Sequence, residues 1–385
     1  MGRPNIGDRA RLLQRIDEIL DRRWLSNMGP SVIEFETAMC QLLGTKHCIP
    51  LCNGTVALEL AVKALGLTGE VIVPSFTFVA TAHALDWMGL VPVFADVSDD
   101  TYTLDPASVE RLIGPRTSAI LGVHLWGAPC DVTALDELAR AHDLALLFDA
   151  AHAFGCSHDG HMIGNLGRAE IFSFHATKFL NSFEGGAVAT NDDALAERVR
   201  LMQNFGFSGF DRVVSAGTNA KMSEVCAAMG LTSLEAMDAI VDVNRRNLRR
   251  YETVLAGIPG VALRVPSEGE RHNYQYIVVE IDESTGGPSR DAMLELLWSE
   301  NVLARRYFYP GCHRMEPYRS MPATHPMELP VTEMIASKVL CLPTGTAVTE
   351  ADIDVVGSVV RVAVENFSDV RDKLASVPSA YPHPS

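Results

Sequence analysis

Short apolar runs recur through the first three-fifths of the chain, and most are followed by a segment with helical spacing. Cys48–Cys52, Glu70–Pro74, Val91–Ala95, Ala119–Leu125, Leu144–Asp149, Ile171–Phe174 and Ala187–Thr190 predict seven strands. Val56–Leu65, Ala80–Met88, Pro106–Ile113 and Val132–His142 predict helices between them. Such alternation implies an α/β fold, a mostly parallel sheet with helices on both faces. One connection breaks the rhythm. Only twelve residues separate Phe174 from Ala187, whereas a parallel crossover needs roughly a dozen or more. The last strand is therefore expected to run antiparallel to its neighbours. After about residue 235 the pattern changes to a polar helix (Asn244–Leu255), a strand (Tyr274–Ile281), a helix (Arg290–Glu300) and a final helix near Glu350–Asn366. This predicts a smaller α+β domain.

Composition agrees with two domains: 385 residues, 47% hydrophobic and 21% charged, can bury a large core. A formal net charge of -16 argues against non-specific nucleic-acid binding. No apolar run approaches the roughly eighteen residues of a membrane span. The start, MGRPNIGDRARLLQRIDEIL, has no apolar signal core, and Ile6 stands where a myristoylation site wants Ser or Thr. The eight cysteines form no Cys-x-x-Cys pair and have apolar neighbours. That pattern fits reduced thiols in a cytoplasmic protein. The Pro- and Ser-rich tail, Ser376–Ser385, is expected to be loose.

Ligands bind at the carboxyl ends of strands in open α/β sheets, and several polar groups fall there. Asn53-Gly54-Thr55 opens a helix after the first strand. It either caps that helix or presents N–H groups to an anion. Asp149 ends an apolar strand, where a carboxylate has to be hydrogen-bonded or face a buried cation. His152 follows three residues later. Phe78, after VIVPSFTF, is either a core ring or a flat surface for a ligand. Lys178 lies between Ile171-Phe172-Ser173-Phe174 and Gly185-Gly186, either solvated or turned inward. Together these groups describe pyridoxal 5'-phosphate: phosphate on the Asn53 turn, ring on Phe78, ring cation against Asp149, and a lysine for its aldehyde. A zinc site from His152, Cys156, His158 and His161 fits no standard spacing, and His158-Asp159-Gly160-His161 reads as a turn. No metal is expected.

The stretches RWLSNMGPSVIEFE, CNGTVALELAVKALG, VIVPSFTFVATAHAL, GLVPVFADV, DAAHAFG, FSFHATKFLNSFEGGAV and GTNAKMSEVCAAMG, with the later YFYPGCHRMEPY and CLPTG, resemble the DegT/DnrJ/EryC1/StrS sugar aminotransferases. That resemblance implies a fold type I transferase with a seven-stranded sheet. It implies a large cofactor-binding domain (1–235), a small domain (236–375) and the tail (376–385), with the N-terminal segment free to pack on the small domain. By position, Lys178 matches the Schiff-base lysine, Asp149 the partner of the pyridine nitrogen, and Phe78 the stacking ring. Gly54, Thr55 and Ser173 match the phosphate site, and His152 the side chain near the phenolic oxygen. Asn219 matches a residue that reaches the phosphate from the neighbouring subunit, which implies a homodimer with shared active sites.

Two segments depart from the family pattern. Tyr307-Phe308-Tyr309-Pro310 stands where His often leads, and Ala220-Lys221 where Tyr-Arg is common. These segments face substrate in the family, so Tyr307 and Tyr309 are candidates for substrate contact. Arg305, Arg306 and Lys221 are candidates for the pyrophosphate. The implied reaction moves an amino group from L-glutamate to a nucleotide-linked ketosugar, as in deoxyaminosugar biosynthesis. The chain most resembles enzymes acting at C4 of dTDP-4-keto-6-deoxyglucose, with a C3 aminotransferase as the alternative. Related dehydratases carry histidine in place of the lysine, so Lys178 argues against dehydration.

Overall fold

The computed structural model describes residues 3–321 and 328–368. The predicted loose tail, Ser376–Ser385, lies outside the described residues. Two helices not anticipated above, α1 (Arg9–Arg22) and α2 (Pro30–Leu43), come first. Strand β1 (His47–Leu51), α3 (Gly54–Leu65), β2 (Glu70–Pro74), α4 (Ala80–Trp87), β3 (Val91–Ala95), α5 (Pro106–Leu112), β4 (Thr117–Val123), α6 (Val132–Ala141) and β5 (Ala145–Asp149) then alternate. A short hairpin, β6 (Ser157–His158) with β7 (His161–Met162), precedes β8 (Ala169–Ser173) and β9 (Gly186–Thr190). The hairpin pairs His158 with His161, so that stretch is a turn as expected.

The main sheet has the order β1-β9-β8-β5-β4-β2-β3. Strand β9 is antiparallel to both β8 and β1, while the other pairings are parallel. Six strands thus end at one edge of the sheet. All five residues of β2 are buried, as expected of a strand covered on both faces. Each fully buried Val or Ile there contributes roughly 1.5–3 kcal/mol. The predicted strand Ala119–Leu125 is shifted toward its N-terminus: Leu125 instead enters a 3-10 turn in which Trp126 has φ 53°.

Helices α7 (Asp193–Met202) and α8 (Glu224–Glu235) follow the sheet. The remainder contains α9 (Met237–Leu255), β10 (Val261–Leu263), β11 (Ile277–Ile281), α10 (Arg290–Ser299), α11 (Pro330–Lys338), β12 (Val339–Leu342) and α12 (Glu350–Glu365). Its antiparallel sheet, β10-β11-β12, has its own apolar core with α9, α10 and α12. Helix α9 begins seven residues before the predicted Asn244, because Met237 and Ile240 extend its buried stripe. The strand predicted from Tyr274 starts only at Ile277. Tyr274 has φ 51°, and the Asn273 side chain accepts the Gln275 N–H at 3.1 Å, which makes a turn.

Helix α1 packs on α8 through Leu12, Ile16 and Ile19 against Ala228 and Met229. Buried Arg15 donates to Thr232 and Glu235. Asn5 reaches further, donating to Gln275 Oε1 at 3.1 Å and accepting the Thr346 N–H at 3.0 Å. Among the described residues, no helix is long and apolar enough to cross a membrane.

Candidate active site

A cavity of about 630 Å³ opens where the parallel strands end. At its floor α3 begins. The Asn53 side chain accepts the Val56 N–H at 2.8 Å, so it does cap the helix. Gly54 and Thr55, being the first helical residues, keep N–H groups without an intrahelical acceptor. The helix dipole adds positive potential there. Glycine is needed at 54 because a Cβ would lie 2.8 Å from the Ser173 Cβ. A Cβ on Gly186 would lie 2.6 Å from Gly54 N, so β9 supports this turn from beneath.

Asp149 closes β5 and is buried. Thr81 Oγ1 donates to one carboxylate oxygen at 2.9 Å and the Ala151 N–H to the other at 3.1 Å. Burial raises its pKa, while these two hydrogen bonds and the Lys178 charge pull the other way. Lys178 sits in a turn closed by its own N–H to His175 O at 2.8 Å. The loop that carries it is pinned by Phe174 N to Gly185 O at 2.7 Å and Ser182 N to Phe174 O at 2.9 Å. Burial lowers the Lys178 pKa to about 8 against the opposing attraction of Asp149. An amine so perturbed is available uncharged near neutral pH, which suits a nucleophile or proton acceptor.

His152 is buried and its Nδ1 accepts the Trp126 N–H at 3.3 Å. Its single proton is then on Nε2. Burial, with the Lys178 charge adding to it, holds its pKa well below the usual histidine value. Its ring stacks on Phe308 at 5.6 Å between centroids. Phe78 is 55% exposed, an unusual state for phenylalanine, and the exposed ring forms a wall of the cavity.

Of the residues singled out in the sequence, Gly54, Thr55, Phe78, Asp149, His152, Ser173, Lys178 and Tyr307 line this cavity. Arg305, Arg306 and Tyr309 border an adjoining cavity of about 230 Å³, which shares Thr77, Phe78, Tyr307 and Phe308 with the first. Asn219 and Lys221 line neither. They bond each other at 2.8 Å beside exposed Phe205, whose ring lies 4.9 Å from Lys221 Nζ. Sequence reasoning missed Thr81, which braces Asp149, and Tyr276 and Phe308 on the far wall. Thr81 had a signal: it lies four residues after Thr77, one helical turn away, and the two hydroxyls meet at 3.0 Å. Among the described residues, no three His, Cys, Asp or Glu side chains are grouped to hold a metal.

Comparison with known proteins gives this arrangement a context. The signature of the DegT/DnrJ/EryC1/StrS aminotransferase family matches residues 7–361. The dTDP-4-amino-4,6-dideoxy-D-glucose transaminase of Escherichia coli is 36% identical over 350 residues, which cover 90% of this chain and 94% of that protein. The GDP-perosamine synthase of Caulobacter vibrioides is 37% identical over 347 residues, 88% of this chain and 91% of that one. The crystal structure of DesI in the presence of its TDP-sugar product superimposes with a TM-score of 0.93 at 52% identity, covering 97% of this chain and 95% of that one. With its signature running through both the seven-stranded sheet and the three-stranded sheet that follows, the chain belongs to the DegT/DnrJ/EryC1/StrS aminotransferase family and is a transaminase of fold type I.

Proposed function

We propose that this protein transfers the amino group of L-glutamate to a nucleotide-linked ketosugar, at C4 of dTDP-4-keto-6-deoxyglucose, with pyridoxal phosphate held in the larger cavity. The observation that carries this reading is the meeting of Lys178, Asp149 and the open N-terminus of α3 around one cavity, in a chain of this family. The sugar is supported by likeness: the Escherichia coli relative is a dTDP-4-amino-4,6-dideoxy-D-glucose transaminase, and DesI was crystallised with its TDP-sugar product. The Caulobacter relative is named for a GDP sugar, so the choice of dTDP rests mainly on the DesI likeness.

The residues present fit the cofactor. The Gly54 and Thr55 N–H groups and Ser173 would hold its phosphate, exposed Phe78 would cover its ring, and Asp149 would face its ring nitrogen. Lys178 would carry it. When bound, pyridoxal phosphate supplies a carbonyl for the migrating amino group and an electron sink. Asp149, steadied by Thr81 and the Ala151 N–H, would present its carboxylate to that ring. Lys178 Nζ, at the edge of the same cavity with its lowered pKa, would take and return protons. His152 Nε2–H is a donor toward the cavity.

Arg305, Arg306 and Lys221 remain the proposed pyrophosphate donors, with Tyr307 and Tyr309 beside the sugar nucleotide. Arg306 stacks over Tyr309 at 4.5 Å and pairs with Asp291 at 3.1 Å, which fixes its direction. A homodimer would bring Asn219 and Lys221 of one subunit to the other's cavity. Phe205, Phe207, Phe210, Val213 and Val214 are all exposed on the same segment, as a covered interface requires. Eight unpaired cysteines support a cytoplasmic setting.

The test is a panel of dTDP- and GDP-linked 3- and 4-ketosugars with L-glutamate, with products read by NMR. A new C4 amine on the dTDP sugar is expected. A C3 amine, or no product from any ketosugar, overturns the assignment.

A further inference from the structure

The segment after residue 304 crosses from the small domain to the cavity. At its start, Arg305 and Cys341 exchange backbone hydrogen bonds of 3.0 and 2.8 Å. Tyr307, Phe308 and Tyr309 follow; the first two line both cavities and Tyr309 the smaller one. The chain then docks on the residue just beyond β2. Cys312 N donates to Ser75 O at 2.9 Å, and His313 N to Ser75 Oγ at 3.0 Å. Ser75 Oγ also meets His313 Nδ1 at 2.6 Å, and His313 Nε2 meets Glu333 Oε1 of α11 at 3.1 Å. Arg314 Nε donates to the same Glu333 oxygen at 3.0 Å.

Counting protons fixes the directions. Ser75 Oγ accepts the His313 N–H, so its own hydrogen is free to donate to Nδ1. That leaves Nε2–H for Glu333, and each polar group is satisfied around a neutral imidazole. Burial lowers the His313 pKa, in keeping with the neutral form. Gly311, at φ 90°, makes the turn possible: a Cβ there would lie 3.1 Å from both Ser75 Oγ and His313 Nδ1. The order Ser–His–Glu resembles a hydrolase triad, but Ser75 and His313 have no exposed surface. The hydroxyl cannot reach a substrate.

Ser75 precedes Thr77 and Phe78, which line both cavities, and the Phe78 ring meets that of Phe308 at 6.4 Å between centroids. The relay therefore sets the distance between the two walls. We propose that Ser75, His313 and Glu333 form a positioning relay that holds the Tyr307–Tyr309 wall against the Thr77–Phe78 wall and so sets affinity for the acceptor sugar rather than for the amino donor. A sugar nucleotide has to extend from one cavity into the next, past both walls. Glutamate is small enough for the first alone. The assignment to the sugar rests on the function proposed above.

The test compares Ser75→Ala, Glu333→Gln, His313→Ala and His313→Asn in the complete, cofactor-loaded protein. Ser75→Ala removes two buried hydrogen bonds, the one Oγ accepts from His313 N and the one it donates to Nδ1, and should raise KM for dTDP-4-keto-6-deoxyglucose by about tenfold or more, with Glu333→Gln in the same direction. The glutamate half-reaction, followed alone by stopped-flow absorbance, should change by less than about twofold. His313→Asn keeps an amide facing Ser75 and should recover most of the affinity that His313→Ala loses. Hydrogen exchange across 307–315 should quicken in Ser75→Ala while β4 and β5 keep their protection. An unchanged KM overturns the proposal, and so does an equal fall in both half-reactions. If the wild-type protein accepts no ketosugar, the functional reading fails, and the relay is judged by exchange alone: unchanged exchange in 307–315 removes it.

Discussion

The Lys178 amine offers a direct test of the site's electrostatics without cofactor or substrate. Burial brings its pKa down to about 8, and Asp149 opposes that fall. Asp149→Asn deletes the charge but keeps the shape and the burial. An opposite charge nearby shifts a group by about one to three pKa units. Asp149 is itself pushed toward its neutral form by burial, so the lower end applies, and the variant's Lys178 should titrate about one unit below wild type. The sign is definite: losing a carboxylate makes the ammonium harder to keep, so the midpoint moves down. Only the unprotonated amine is acylated. Cofactor-free protein would be pulsed with an amine-selective acylating reagent across pH 5 to 11, and labelling of the Lys178 peptide read by mass spectrometry. Exposed Lys46 provides an internal reference for reagent decay. A wild-type midpoint near the ordinary lysine value of about 10.4 would mean the cavity does not desolvate the amine. A midpoint that rises in Asp149→Asn would refute the electrostatic link between the two residues.

Other outcomes follow from the same geometry. Lys178→Ala should lose the visible absorbance of lysine-bound pyridoxal phosphate together with transamination, and retained absorbance would remove Lys178 from its role. Gly54→Ala forces a methyl to 2.8 Å from Ser173. At the ~1–3 kcal/mol typical of overpacking, cofactor affinity measured by titration should fall about tenfold or more, and normal affinity would dismiss the phosphate turn. Mixing inactive Lys178→Ala and Asn219→Ala chains should restore activity if the two residues meet across a dimer, because one site per heterodimer then carries neither lesion. No recovery despite proven subunit exchange would place Asn219 in its own subunit's site or in none. Alanine at Arg305, Arg306 or Lys221 should raise KM for the nucleotide sugar and spare the glutamate half-reaction. Three normal KM values would place the pyrophosphate elsewhere.

The strand alternation was plain in the sequence because each buried strand is a local apolar run. The reversal of β9 was readable from loop length alone. Asp149 and the Asn53 turn stood out because each ends an apolar run at a position where polar groups need a reason. Helix α8 left no comparable trace: it is buried on nearly every side, including Glu224, whose carboxylate accepts the Ser31 and Val32 N–H groups at the start of α2. A helix covered all round has no polar face to give it a period. Helix α1 did carry a signal, Leu12, Ile16 and Ile19 at helical spacing, that went unused. The far wall of the cavity was beyond local reading. Tyr276 and Phe308 meet residues more than a hundred positions away, and His313 finds Ser75 across 238 positions of sequence.

The support that β9 gives the Gly54 turn also constrains how this protein is made. Residue 54 and residue 186 press together, and the strands that bring them there, β1 and β9, pair from His47–Thr190 to Leu51–Gly186. A growing chain on the ribosome has β1, α3 and the lysine loop before it has the strand that locks them side by side. Until Thr190 has cleared the exit tunnel, the turn lacks its backing and the proposed phosphate site is incomplete. Closing so long a loop is also entropically slow. Cofactor capture would thus mark the completion of the larger sheet during synthesis, and a chain truncated before β9 would be unable to make it.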